Sequence, residues 1–374
     1  MTTTTQPGLA HHNADARDYL APPTGGDVAA FHATLDGYTL TRLLDAPDLA
    51  KELGVARVLV KDESNRLGLP AFKILGASWA TCRAVSDRLG LDYRTATVAS
   101  LRDALHGRQL TLVTATDGNH GRAVAVMARL LGVQARVYTP AGLTRAALDA
   151  IRGEGADLLE LEGAYDDVVR FAAQSVEGRP EDLLIQDAAW EGYEDIPDWI
   201  VDGYATLFAE TDTQVAALGL TATHVVVPVG VGSLAQAAVA HYRHTSTQRP
   251  RLVSVEPVTA DCVARSLTAG RLLTVPTAPT VMTGLNCGTP SRNAWPYLAG
   301  GLDLAVTVTD EHVIAAVHRL TAARIDAGPC GAATWAAAQT LDQHPTTVTG
   351  LNTDAVVVLI STEGQQANPL RDRS

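Results

Sequence analysis

The chain contains very little lysine. Its 374 residues include only Lys51, Lys61 and Lys73, and every other permanently basic residue is an arginine. A function that depends on the primary amine of a lysine therefore has three candidates. Lys51 lies at the end of a polar helical stretch and Lys61 lies in a charged run, whereas Lys73 stands between Phe72 and Ile74.

Other absences narrow the class of protein. No apolar run approaches the ~18 residues of a membrane-spanning helix, and residues 1–15 contain no apolar signal segment. We therefore expect a cytoplasmic protein with a disordered or loosely docked N-terminal tail. Acidic residues number 41 against 29 Lys plus Arg, which argues against nucleic acid and anionic membrane as partners. The four cysteines lack Cys-x-x-Cys spacing, so we predict no metal site and, in a cytosolic protein, free thiols.

What the chain does contain is an alternation of short, Val-rich strands with helices. A chain of this length can form two domains with a large core. Continuous Val-rich strands are typical of parallel sheets covered by helices on both faces. We predict an α/β fold of two open parallel-sheet domains. The assignment is a tail at 1–15, a large domain at 16–77 and 200–374, and a smaller domain at 78–199.

Lys73 is the strongest candidate for a reactive lysine. A lysine between bulky apolar side chains is partly desolvated, which favours the neutral, nucleophilic amine. That is the form that a Schiff-base lysine needs. The alternative is that Lys73 simply extends into solvent from the start of a helix, and this stretch alone does not separate the two interpretations.

Two glycine loops follow predicted strands and begin helices. Residues 116–121 (Thr-Asp-Gly-Asn-His-Gly) would present free N–H groups to a ligand, or would form an ordinary Asp N-cap. Residues 230–234 (Gly-Val-Gly-Ser-Leu) would cradle a phosphate at the carboxyl edge of a parallel sheet. The alternative is a tight turn without a ligand. This second loop lacks the third glycine of a dinucleotide fingerprint and the lysine of a Walker loop.

A third stretch, residues 186–193 (Gln-Asp-Ala-Ala-Trp-Glu-Gly-Tyr), places two carboxylates among aromatic residues after a strand. Asp187 stands directly at the end of that strand. It is the better candidate for a side chain that faces a site at the sheet edge. The alternative is an exposed loop with an aromatic anchor.

Taken in order, these motifs resemble the fold-type II pyridoxal-phosphate enzymes. The motifs that carry this resemblance are residues 61–64 (Lys-Asp-Glu-Ser), 71–73 (Ala-Phe-Lys), 116–121 and 230–233. Among these enzymes the chain is similar to the diaminopropionate ammonia-lyases, on residues 187–197, 283–288 and 361–364. The resemblance extends over about residues 40–366. It implies a cofactor, pyridoxal 5′-phosphate, in the cleft between the two domains.

The resemblance also implies residue roles. Lys73 would bind the cofactor covalently, with Phe72 beside it, and Asn119 would form a hydrogen bond with the 3-hydroxyl of the pyridine ring. Ser361, or Thr362 in its place, would meet the ring nitrogen. The phosphate would be held by Gly230, Val231, Gly232, Ser233 and Leu234. Asp117 and Asp187 would lie on the substrate side.

The function that the resemblance implies is α,β-elimination on 2,3-diaminopropionate, giving pyruvate and ammonia. The expected assembly is a homodimer. The resemblance further implies activity on both enantiomers, with Lys73 and Asp117 as bases on opposite sides of the cofactor, and raises a disulfide between Cys262 and Cys287. A serine or threonine dehydratase, a β-replacement synthase on another amino acid, and an inactive relative that senses an amino acid are the alternatives. A β-ammonium group requires Asp117 or Asp187 nearby, whereas a hydroxyl leaving group does not.

Overall fold

The computed structural model describes residues 7–22, 27–116, 118–244 and 248–370. Within these ranges eleven strands form two separate sheets. The strands are β1 Gly8–His12, β2 Arg42–Asp45, β3 Arg57–Asp62, β4 Thr111–Ala115, β5 Gln134–Pro140, β6 Asp157–Leu161, β7 Asp182–Leu184, β8 His224–Pro228, β9 Arg251–Pro257, β10 Leu304–Val308 and β11 Val356–Ser361.

Helices follow most of the strands. They are α1 Val28–Ala33, α2 Pro47–Leu53, α3 Ile74–Leu89, α4 Val98–Leu105, α5 Asn119–Leu131, α6 Arg145–Gly153, α7 Tyr165–Ser175, α8 Asp195–Ala217, α9 Ser233–His244, α10 Cys262–Ala269, α11 Ala294–Gly301, α12 Asp310–Ala322, α13 Pro329–Asp342 and α14 Thr346–Thr349. Two 3₁₀ turns, Ala16–Asp18 and Thr283–Leu285, complete the set. In the described part of the chain, no helix is both long and apolar enough to cross a membrane.

The larger sheet has the strand order β1-β10-β9-β8-β11-β3-β2. Its five inner strands are parallel, as predicted, but β1 and β2 run antiparallel to their neighbours. The larger sheet is therefore mixed at its two edges, where we expected parallel strands. An edge strand pairs on one side only, so an antiparallel strand can close an otherwise parallel sheet.

The smaller sheet has four strands in the order β6-β5-β4-β7, all parallel. Two sheets with helices between their strands confirm the predicted α/β fold class. In such sheets ligands bind beyond the carboxyl ends of the strands. The loops after β3, β8 and β11 leave that edge of the larger sheet, and the loops after β4 and β7 leave that edge of the smaller one.

The Val-rich strands of the larger sheet contribute to both of its faces. On β3, Leu59 packs into one hydrophobic cluster while Val58 and Val60 pack into another. The same alternation holds on β11, where Val358 and Leu359 belong to opposite clusters. Because successive side chains of a strand point to opposite faces, a strand with apolar cores on both sides must be apolar throughout.

The N-terminal segment is more ordered than the sequence indicated. Residues 8–12 form β1, paired with β10, and Asn13 Nδ2 donates hydrogen bonds to the carbonyl oxygens of Ala299 and Gly300. The ring of Tyr19 fills the space where a side chain on Gly300 would lie. Residues 8–12 are thus paired in a sheet rather than disordered, whereas the bounds of the predicted tail stay a prediction. Main-chain pairing at a sheet edge requires no apolar pattern, so the composition did not reveal it.

Helices α3 and α8 cross in close contact just after Lys73. A Cβ on Gly76 would lie 2.6 Å from Tyr204 Cε1, and a Cβ on Gly203 would lie 2.5 Å from the Leu75 carbonyl oxygen. Glycine at both positions lets the two backbones approach, so the first turn of α3 packs directly against α8. The domain boundaries that we placed at residues 78 and 199 fall inside these two helices and stay predictions.

Candidate active site

A cavity lies where the carboxyl edges of the two sheets meet. The larger sheet contributes Phe72 and Lys73 from the loop after β3, residues 228–234 from the loop after β8, and Thr362 after β11. The smaller sheet contributes Asn119 and Asp187. Most of the site residues predicted from separate motifs therefore line one cavity. Tyr165, Cys330 and Glu363, to which we had assigned no role, line it as well.

Lys73 is the N-cap residue of α3, and its amine reaches the cavity. Its Nζ lies 2.7 Å from Asp187 Oδ2 and 5.6 Å from the centre of the Phe72 ring. The Lys73 side chain is 21% exposed, whereas the Asp187 side chain is only 5% exposed. The lysine is thus shielded on one side by an aromatic ring and remains accessible from the cavity on the other.

The Asp187 carboxylate is buried and ionised. Burial by itself raises the pKa of this group, but the charge of Lys73 and the hydrogen bonds from Lys73 and Tyr165 outweigh it. The pKa of Asp187 is therefore well below its usual range. Gln186 Nε2 donates to Asp187 Oδ1 at 3.1 Å, and Tyr165 Oη donates to the same oxygen at 3.4 Å. This set of donors holds a negative charge at the wall of the cavity.

The loop at residues 230–234 has the geometry of an anion cradle. Gly232 has a φ of +102°, a conformation that favours glycine, and α9 begins at the next residue. A Cβ on Gly230 would lie 3.0 Å from both Cys287 Sγ and the Gly284 carbonyl oxygen. Ser233 Oγ donates to the Asp187 carbonyl oxygen at 2.8 Å, which ties the loop to the other sheet. Backbone N–H groups at a helix N-terminus fit a phosphate group.

Asn119 lies at the start of α5 and faces the cavity across from Glu363. Its Nδ2 donates to Glu363 Oε2 at 2.7 Å. Next to it, His120 is buried, which lowers its pKa, and its Nε2 donates to the Ile185 carbonyl oxygen at 2.8 Å. Asp117, the remaining carboxylate that we predicted on the substrate side, lies outside the described residues.

Of the two hydroxyl groups that we considered for the ring nitrogen, Thr362 lines the cavity and Ser361 does not. Ser361 is the last residue of β11, and its Oγ would lie 2.7 Å from a Cβ on Gly331. That Oγ is buried and, counting only the described residues, has no hydrogen-bond partner. Both residues are buried, and either hydroxyl could accompany the edge of a polar ring.

The cysteine pair does not form the disulfide that the resemblance raised. Cys262 and Cys287 are both buried thiols in this structure. Both thiols lie against Gly230. Cys262 Sγ is 3.8 Å from the Gly230 carbonyl oxygen, and Cys287 Sγ would touch a Cβ placed on Gly230. The pair therefore borders the phosphate loop in its reduced state. No group of three or more His, Cys, Asp or Glu that could hold a metal ion occurs in the ranges that the structure describes.

Taken together, these residues fit pyridoxal phosphate: an accessible lysine, a backbone cradle for a phosphate, an amide beside the cavity, and a threonine hydroxyl on its wall. Residues 34–363 match the family model described as "Pyridoxal-phosphate dependent enzyme". Because this match covers most of the chain, the protein belongs to the pyridoxal-phosphate-dependent enzymes, and its two-sheet architecture is that of fold type II.

Within that family the chain is similar to diaminopropionate ammonia-lyases. It is 37% identical to the diaminopropionate ammonia-lyase of Escherichia coli K12 over 89% of this chain and 86% of the relative. A crystal structure of the E. coli holoenzyme superimposes with a TM-score of 0.87 at 35% identity, covering 95% of this chain and 93% of that one. A second, with an aminoacrylate–pyridoxal-phosphate azomethine reaction intermediate, gives 0.84 at 34% identity over 96% and 95%.

Sequence reasoning missed three residues of the site. Glu363 stands inside a motif that we quoted, but nothing in the motif shows that its carboxylate reaches Asn119. Tyr165 begins α7 just after Gly163, but nothing in this short turn indicates that the Tyr165 hydroxyl reaches Asp187. Cys330 follows a Gly-Pro pair at the start of α13, which was a detectable helix N-terminus signal.

Proposed function

We propose that the protein catalyses α,β-elimination on 2,3-diaminopropionate, releasing ammonia and an aminoacrylate that hydrolyses to pyruvate and a second ammonia. The relatives named above carry that activity in their names, and one holds an aminoacrylate intermediate. The observation in this chain that supports the proposal most directly is the ionised, buried Asp187 at 2.7 Å from Lys73. It provides a fixed negative charge for a substrate that carries a second ammonium group.

The proposed roles of the residues follow from their positions. Lys73 would hold pyridoxal phosphate, whose ring supplies a sink for the electrons left when the substrate Cα loses its proton. Residues 230–234 would bind the phosphate and orient the ring, and Lys73 Nζ would take the Cα proton.

Asp187 would then select the leaving group. When Lys73 Nζ turns from Asp187 toward the substrate Cα, the carboxylate can accept a hydrogen bond from another ammonium. A β-amino group leaves as neutral ammonia only from its protonated form, and a nearby carboxylate stabilises that form. A hydroxyl leaving group gains nothing from the negative charge.

The test compares two substrates in one variant. Asp187→Asn should lower kcat/KM for 2,3-diaminopropionate by roughly 10²-fold, because it removes the charge from a buried ionic contact, and should lower kcat/KM for serine far less. Asp166→Asn is the matched control, since Asp166 is half-buried on the neighbouring helix and bonds Thr289. Equal losses on both substrates would contradict this role, and faster turnover of serine by the wild type would favour a dehydratase.

The two-base part of the proposal rests on sequence, because Asp117 lies outside the described residues. A base on one side of the cofactor can take the Cα proton from only one enantiomer, so Lys73 would serve the L form and Asp117 the D form. We expect Asp117→Asn to lower activity on the D form by ~10²-fold or more and on the L form less. Since Asn caps a helix about as well as Asp, similar slight losses on both enantiomers would leave Asp117 with a capping role only.

We also propose a cytoplasmic homodimer. The family resemblance supports the dimer, and the four thiols suit a reducing compartment. Light scattering on the purified chain would test the assembly, with the mass of a single chain, 39.3 kDa, as the contrary result.

A further inference from the structure

Glu363 is a buried acidic residue on the wall of the cavity, with 3% of its surface exposed. Its Oε2 accepts the hydrogen bond from Asn119 Nδ2 at 2.7 Å. Its Oε1 accepts hydrogen bonds from the Cys330 backbone N–H at 3.2 Å and from Asn368 Nδ2 at 3.3 Å. Both carboxyl oxygens therefore face N–H donors, and one of those donors belongs to a side chain that lines the cavity.

We infer that Glu363 is a positioning residue, which sets the orientation of the Asn119 amide toward the cofactor. This inference rests on the proposed function, because it requires pyridoxal phosphate in the cavity. Asn has an oxygen on one side of its amide and a nitrogen on the other, and either can face a ligand. Burial raises the pKa of Glu363, and the hydrogen bonds that it accepts act in the opposite direction. Because both of its oxygens face N–H donors, Glu363 acts as an acceptor, and Asn119 turns its nitrogen toward Oε2. The second N–H of that nitrogen then remains as a donor for the cavity.

The partners of Glu363 are themselves fixed. The backbone N–H of Cys330 can only donate, and it belongs to the first turn of α13, whose positive dipole end favours a negative charge there. Asn368 Nδ2 also donates to the Val281 carbonyl oxygen at 2.9 Å, so this amide cannot reverse without losing that bond. A Cβ on Gly328 would lie 3.1 Å from Glu363 Cγ, so the backbone packs directly against the acid. Glu363 Oε1 thus accepts hydrogen bonds from Cys330 and Asn368, and Oε2 accepts the hydrogen bond from Asn119.

The substitution Glu363→Gln has a specific consequence in this geometry. The glutamine oxygen must take the place of Oε1, because Cys330 N–H and Asn368 both need an acceptor. The glutamine nitrogen then faces Asn119, which must reverse and present its oxygen. The cavity would lose an N–H donor and gain an acceptor, although neither the size of residue 363 nor the identity of residue 119 has changed.

The experiment is a double-mutant cycle on the full chain, with pyridoxal 5′-phosphate titrated into the apoenzyme and the absorption spectrum of the bound cofactor recorded. Glu363→Gln should raise the cofactor Kd by roughly 10- to 10²-fold, because the cofactor loses one hydrogen bond and the reversed Asn119 amide places its oxygen opposite another acceptor. The same variant should shift the absorption band of the bound cofactor. In the Asn119→Ala background the same change should alter Kd less than about 2-fold. Glu363→Asp, which keeps a carboxylate, should retain more affinity than Glu363→Gln.

Equal effects of Glu363→Gln with and without Asn119 would overturn the inference, as would an unchanged Kd and spectrum in the single variant. If Glu363→Gln fails to fold, as judged by circular dichroism, Glu363→Ala takes its place in the cycle, because it also removes the carboxylate that accepts from Asn119, and the same criteria apply. A wild-type chain that binds no pyridoxal phosphate would instead contradict the proposed function. The two failures are therefore distinguishable.

Discussion

Lys61 and Lys73 stand at the two ends of one loop, which leaves β3 and enters α3. The Lys61 side chain is fully buried, and its Nζ donates to the Thr41 carbonyl oxygen at 3.1 Å and to Glu210 Oε2 and Gln214 Oε1, each at 2.8 Å. The Lys73 side chain is less buried, at 21% exposure, and its amine faces a cavity beside Asp187. The more deeply buried lysine is thus not the one at the candidate active site.

The comparison shows that desolvation alone does not prepare a lysine for chemistry. Burial lowers the pKa of Lys61, and the charges of Glu63 and Glu210 act in the opposite direction. An ammonium has three donors, and all three of Lys61 are used by protein acceptors, so no ligand can reach its amine. Lys73 differs because an open cavity adjoins its nitrogen, which a cofactor can enter.

The buried charge cluster of Lys61, Glu63, Arg66 and Glu210 has a structural consequence for the site. Arg66 is fully buried and donates to Glu63 Oε1 and Glu210 Oε1, each at 2.7 Å. Glu210 lies on α8, the helix that crosses α3. The cluster therefore anchors the first half of the loop to the same helix that positions the start of α3 at its end.

The largest effect should come from removing the amine of Lys73. Lys73→Ala should abolish covalent, borohydride-reducible attachment of pyridoxal phosphate and lower kcat on the order of 10⁴-fold or more, as expected when a nucleophile is removed. Lys61→Met is the matched control, which should lose stability but keep the reducible chromophore. Retention of that chromophore by Lys73→Ala would show that another lysine binds the cofactor.

The next effect concerns the stability of the buried charge cluster. Glu210→Gln should lower the free energy of unfolding by about 3–5 kcal/mol, because it leaves the charges of Lys61 and Arg66 without their shared carboxylate. Urea denaturation measures this. Glu52→Gln, which removes the exposed partner of Arg319, should cost no more than about 1 kcal/mol. Similar midpoints for the two variants would show that the cluster does not differ from a surface ion pair.

The smallest effect is a dependence of stability on pH. Burial by itself raises the pKa of Glu210, but the hydrogen bonds and charges of Arg66 and Lys61 outweigh it and lower the pKa to about 2. A folded-state pKa below that of the unfolded chain contributes stability at higher pH, which is lost as the pH falls from about 4.5 toward about 2. Urea midpoints measured at pH 5 and pH 3 should therefore differ less in Glu210→Gln than in the wild type. Identical differences would exclude Glu210 as a source of acid sensitivity.

The predictability of the fold followed the strength of the local patterns. The Val-rich strands β3, β8 and β11 were evident because burial on both faces makes their central positions continuously apolar. The edge strands β1 and β2 were not, because they are short and partly exposed and pair on one side only. Their direction depends on which neighbour they meet, and no local pattern carries that information.

The predictability of the site had a similar limit. Lys73, Asn119, Asp187 and the loop at residues 230–234 all stand just after a strand or at the start of a helix, where ligand sites of α/β proteins occur. Glu363 and Tyr165 were missed because their roles depend on contacts with distant residues, Glu363 with Asn119 and Tyr165 with Asp187. Glu363 meets Asn119 across 244 positions of the chain, and a sequence separation of that length leaves no local signal.

The sequence by itself determined the class of the fold, the few lysines that could hold a cofactor, and the glycine loop for a phosphate, because each depends on composition or on residues close together in the chain. Only the tertiary structure decided which lysine faces the cavity and which is enclosed by acceptors, and which carboxylate stands opposite the Asn119 amide. Those outcomes depend on how two sheets and the crossing of α3 and α8 bring distant segments within hydrogen-bond distance. The side chains that surround an ionisable group, rather than its neighbours in sequence, set its charge and its accessibility.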